Sequence, residues 1–173
     1  MVWALVLPFA LIGALGNRLR GGLWGSVIGW GSGVARLGAW GIPCGVGAWA
    51  CGAPWWAALA VIVGAWAGCT VPQFGALSMG HRGGTSGALA WGAMTLWGLA
   101  RMGSVVLVAW WLGGAWWWPL AAGLLCAPLY ELAWHVPLPV RGLGYPDDPP
   151  EMAEALHGAA MGAGLFLAFF PPF

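Results

Sequence analysis

Apolar residues run along this chain in long blocks, separated by short stretches that concentrate glycine, proline and arginine. Uncharged segments extend from Leu37 to Gly80, from Gly83 to Ala100 and from Met102 to Tyr130. A bilayer-spanning helix needs about 20 mostly apolar residues, so the pattern predicts about six spans. The first covers 2–16 and ends at Gly16-Asn17; the second covers 22–41 and stops before Pro43. The third, 44–71, is expected to kink at Pro54 and to close at Pro72, because proline lacks the amide hydrogen the helix ladder needs. The fourth, 86–112, contains Arg101, and Gly113-Gly114 turns the chain into the fifth, 115–135. A proline-rich loop then leads to the sixth, 151–170. Splitting the third span at Pro54 or the fourth at Arg101 gives seven or eight shorter elements instead.

Composition supports the same class. The 173 residues are 61% hydrophobic and 6% charged, against about 25% charged in an ordinary soluble domain. That excludes a disordered chain and a nucleic-acid binder built on a basic patch. The expected fold is all-α: one domain over 1–173, a polytopic integral membrane helix bundle with the lipid bilayer as its main partner. All six basic residues are arginines, which excludes a lysine Schiff base or a Walker-type phosphate lysine. The Ala, Gly, Pro and Trp bias points to a GC-rich bacterial genome, hence to a bacterial inner membrane. Val2 to Leu15 has its positive charges, Arg18 and Arg20, after the apolar run rather than before it, so it reads as a retained helix and not a signal peptide.

Arginine placement sets the orientation. Arg18, Arg20, Arg82 and Arg141 fall in loops on one side, 17–21, 72–85 and 136–150, while the opposite turns near 42–43 and 113–114 carry no charge. Positive residues favour the cytoplasm, which puts both termini outside. Small residues recur at four-residue spacing in Gly21/Gly25/Gly29/Gly33, Ala60/Gly64/Gly68 and Gly158/Gly162. This is the device by which membrane helices approach closely, within one chain or between copies in a homo-oligomer or with a membrane partner. The sixteen tryptophans cluster at 55–56, 110–111 and 116–118, as an interfacial belt would. The four cysteines contain no C-x-x-C pair and read as packing residues.

Most ionisable groups gather near the three loops of the charged side. Glu131-x3-His135 and Glu154-x2-His157 have the spacing of carboxylate–histidine metal ligands on facing helices. Asp147 and Asp148 add oxygen donors, so a divalent metal is the cofactor such a set would take. His81, His135, His157, Asp147 and Asp148 are the candidates for acid–base or metal chemistry. Gly16-Asn17-Arg18-Leu19-Arg20-Gly21-Gly22 and Gly80-His81-Arg82-Gly83-Gly84 are variants of one pattern. Their arginine forks and exposed amides suit an anionic or phosphate-bearing ligand. Gly31-Ser32-Gly33…Arg36 and Gly80-His81-Arg82-Gly83-Gly84 resemble fragments of the glycine-rich motifs of bacterial membrane acyltransferases that acylate glycerol-3-phosphate. The family's asparagine-rich continuation is missing here, and Thr85 stands where it has lysine.

Arg36 and Arg101 differ from the other arginines in lying inside spans, where a charge marks a functional site by default. Three function classes follow. The first is a transporter or channel-like protein for an anionic small solute, with Arg36 and Arg101 in its path and Arg18, Arg20 and Arg82 at its mouth. The second is a membrane enzyme acting on a phosphorylated or lipid substrate at the cytoplasmic face. The third is a non-catalytic accessory subunit of a membrane complex.

Overall fold

Long apolar runs of good helix formers, punctuated by glycine and proline, give an all-helical chain. The computed structural model describes residues 3–21, 40–70, 87–135 and 151–170, which form seven helices and no strand. These are α1 (Trp3–Gly21), α2 (Ile42–Ala50), α3 (Trp55–Thr70), α4 (Gly87–Trp111), α5 (Trp117–Leu124), α6 (Cys126–His135) and α7 (Glu151–Phe169).

Several expected boundaries move. Helix α1 continues through Gly16-Asn17 to Gly21, so Arg18 and Arg20 belong to its last turns and not to a loop. A glycine in a helix interior costs only about 1 kcal/mol, and α1 packs along α7 over much of its length. No turn occurs at 42–43. Trp40 and Gly41 instead form a π-helical turn that leads into α2, with Pro43 in its first turn.

The chain reverses later, so the third expected span is a hairpin rather than one kinked helix. Gly52 adopts φ +98°, its N–H donates to the Trp49 carbonyl at 2.9 Å, and the Ala53 N–H donates to Ala48 at 3.0 Å. This is the Schellman closure, which a left-handed residue after the last helical turn makes possible. Pro54 then opens α3 instead of kinking a continuous helix. Gly113 does the same between α4 and α5, with φ +72°. The fifth expected span also breaks, at Leu125, three residues before Pro128. Pro128 has no N–H for the Leu124 carbonyl and its ring crowds that oxygen. The fourth span stays whole: α4 is continuous through Arg101.

The α3/α4, α4/α5 and α1/α7 pairs run antiparallel, whereas α4 runs parallel to α7. A Cβ at Gly68 would meet the Ala100 carbonyl, one at Gly98 the Gly123 carbonyl, and one at Gly158 the Phe9 carbonyl. Backbones therefore touch along α3/α4, α4/α5 and α1/α7. Gly64 and Gly68 face α4, and Gly158 and Gly162 face α1, whereas Ala60 is exposed. Both glycine turns, the end of α7 and the start of α1 lie at one end of the bundle. The core between them is built largely from small side chains, including Ala48, Ala57, Ala65, Ala109 and Ala122, with Trp40, Met102, Met161 and Leu165 as its larger members.

The outer surface is the reverse. Trp3, Leu7, Leu11, Trp49, Trp55, Leu96, Leu107, Trp110 and Trp111 all point outward. Among the described residues one helix is long and apolar enough to cross a membrane, over Met94–Trp111. Trp3–Gly13, Trp55–Gly68 and Ala155–Phe169 are shorter apolar helices.

Candidate functional site

Among the residues whose burial is described, two charged or polar side chains, Arg101 and His157, are buried, and they touch. Arg101, in the middle of α4, is 1% exposed, and His157, in the second turn of α7, is fully buried. The Arg101 Nη1 lies 3.0 Å from His157 Nδ1. A guanidinium has only donors, so Nδ1 accepts and the imidazole carries its proton on Nε2. From the Gly113 turn, Arg101 is about 18 Å down α4 at the helical rise of about 1.5 Å per residue, well inside the bundle.

Aromatic rings enclose the pair. The Arg101 Cζ sits 3.6 Å from the Trp97 ring centroid and 4.8 Å from that of Trp40. Trp97 is one turn before Arg101 on the same helix, so the i, i+4 spacing places the indole against the guanidinium. Trp40 arrives from the π-helical turn and also meets Phe9 of α1, centroid to centroid 6.4 Å. His157 lies 6.1 Å from Trp97. Cation–π contact of this kind is worth about 2 kcal/mol or more when desolvated. A guanidinium with indoles against its faces directs its N–H groups within its own plane, where they match the oxygens of carboxylate or phosphate.

The remaining candidates divide by location. Glu131 and His135 fall in α6 and Glu154 in α7, next to His157, and α6 packs against α7. Among the described residues no group of three His, Cys, Asp or Glu side chains gathers as a metal site would require. Arg18 and Arg20 are in the last turns of α1, at the far end of the bundle from the glycine turns. Arg36, His81, Arg82, Asp147 and Asp148 lie outside the described residues.

From the sequence alone, Arg101 lies within a span and His157 belongs with the loop-side metal candidates. The contact between them joins residues from two separate candidate groups. Trp40 and Trp97 were not singled out, although Trp97-x3-Arg101 is a visible i, i+4 signal. No known family matches this chain. No curated protein and no solved structure is detectably similar to it either.

Proposed function

We propose that this is a polytopic membrane protein that binds, and moves, a small anion at Arg101. Helices that bury alanine and glycine and turn leucine and tryptophan outward are arranged for a lipid surround, where close packing replaces the hydrophobic drive. The observation that carries the functional part is the buried guanidinium. A cation at mid-depth is costly, and it marks a substrate or ion pathway by default. The indoles of Trp97 and Trp40 and the ring of His157 hold Arg101 in one orientation before any ligand arrives, which lowers the ordering cost of binding.

The test is thermal unfolding of the detergent-purified protein with chloride, acetate or inorganic phosphate. A ligand at about 100 times its Kd adds about 2.7 kcal/mol to stability. At least one anion is expected to raise the Tm of the wild type and to leave Arg101→Gln unchanged. Equal responses of both proteins, or none in the wild type, contradict the proposal.

A further inference from the structure

The Arg101–His157 contact pairs a permanent donor with a group that can change its role. Arg101 Nη1 donates to His157 Nδ1 at 3.0 Å, so in this arrangement the imidazole is neutral and Nδ1 is its acceptor. Both side chains are buried. One indole flanks the two of them: the Trp97 centroid lies 3.6 Å from Arg101 Cζ and 6.1 Å from the His157 ring centroid.

The guanidinium keeps its charge throughout the accessible pH range. A proton on Nδ1 therefore has no place while the two nitrogens face each other, because cationic donors at 3.0 Å repel and burial screens them little. An oxyanion reverses the balance. Its oxygens accept from Arg101 and from a protonated Nδ1 together, as charge-assisted bonds. Two donor nitrogens 3.0 Å apart suit two oxygens of one carboxylate or phosphate. An unprotonated Nδ1 meets the same oxygens lone pair to lone pair.

We propose that His157 is a proton site coupled to the anion site, so that one oxyanion binds at Arg101 together with one proton at His157 Nδ1. The proton comes from water, and no other bond changes. Guanidinium, neutral imidazole, anion and hydrated proton become guanidinium, imidazolium and anion. The inference rests on the anion-binding role of Arg101 and deepens it: the ligand is a carboxylate or a phosphate, and its movement carries a proton in the same direction. Coupling of this kind is reciprocal. The loaded state holds one proton more, so anion binding strengthens as pH falls and weakens as pH rises.

Other ionisable groups sit on the elements packed against α7. They are Arg18 and Arg20 on α1, Cys44 on α2, and Cys126, Tyr130, Glu131 and His135 on α6; α5 has none, and α7 itself carries Glu151 and Glu154. His157→Asn keeps every one of these and also keeps an acceptor for Arg101, while losing the proton site. The difference between this variant and the wild type therefore belongs to His157.

Titration calorimetry of the purified full chain with acetate and with inorganic phosphate tests the coupling, run between about pH 6 and pH 8 in two buffers of different ionisation enthalpy. Acetate is ionised throughout that range and brings no proton of its own; for phosphate, His157→Asn reports the ligand's own share. The wild type is expected to take up about one proton per anion, with Kd rising by up to about tenfold per pH unit. His157→Asn is expected to bind more weakly, with acetate affinity nearly independent of pH. Unliganded Tm and gel-filtration profiles separate lost binding from lost folding, and His157→Gln supplies the comparison if His157→Asn does not fold. Anion binding with no proton uptake beyond that of the variant overturns the coupling and leaves the Arg101 role standing. Full affinity in Arg101→Gln, or no binding of either anion by the wild type, overturns that role itself.

Discussion

Arg101 carries a charge into the interior of the bundle, and three neighbours make that position tolerable. His157 Nδ1 accepts a hydrogen bond from it at 3.0 Å, and Trp97 and Trp40 lie against the guanidinium. Hydrogen bonds to charged groups contribute about 1.5–3 kcal/mol. His157→Leu is therefore expected to lower stability by about 2–3 kcal/mol in chemical or thermal unfolding, and His157→Asn by clearly less, since its amide oxygen can still accept. Equal losses in the two variants would show that the imidazole acts through its volume and not through Nδ1. Trp97→Leu removes the closer, buried ring and is expected to cost about 2 kcal/mol or more. At this scale the sequence made Arg101 conspicuous, because an arginine flanked by long uncharged segments has few explanations. It left His157 undecided. A histidine three residues after Glu154 has metal-ligand spacing, and only the packing of α7 beside α4 aims the ring at Arg101.

Among helices, glycine decides how closely backbones approach. A Cβ at Gly158 would strike the Phe9 carbonyl and one at Gly68 the Ala100 carbonyl, both rigid backbone atoms. Gly158→Ala and Gly68→Ala are each expected to destabilise by about 1–3 kcal/mol through forced separation of the helices. At Gly103 a Cβ meets nothing within 4 Å, so Gly103→Ala is the control, neutral or slightly stabilising through helix propensity. Thermal unfolding of the three variants under one condition checks the ordering. The Gly64/Gly68 and Gly158/Gly162 pairs were legible as packing strips from their spacing alone. Their partners were not, because four-residue spacing marks a face without saying what lies against it. The hairpin at 51–54 was missed for a specific reason. Pro54 drew attention as a kink, whereas Gly52, two residues earlier, sets the direction of the chain by its positive φ.

At the scale of the described bundle, the two glycine turns and the arginines of α1 lie at opposite ends. The turns at Gly52 and Gly113, with Trp49, Trp55, Trp56, Trp110 and Trp116 to Trp118 around them, share one end with the start of α1 and the end of α7. Arg18 and Arg20 lie in the last turns of α1, at the other end. With the bundle placed in a bilayer and the arginines inside, reporter fusions at either terminus are expected to give the same, non-cytoplasmic signal. Opposite signals from the two ends would refute that topology. Helical class followed from hydropathy, and all described elements are helices. The number of elements did not follow, because the apolar runs of the third and fifth spans are each long enough for one spanning helix and are each divided by a local turn or break.

Anion movement through reconstituted protein tests the central claim most directly. In proteoliposomes loaded with inorganic phosphate outside and monitored for uptake, the wild type is expected to transport and Arg101→Gln, inserted to the same level, to fall to the rate of empty vesicles. Uptake by Arg101→Gln equal to the wild type, or wild-type vesicles no more permeable than empty ones, would contradict a transport function centred on Arg101.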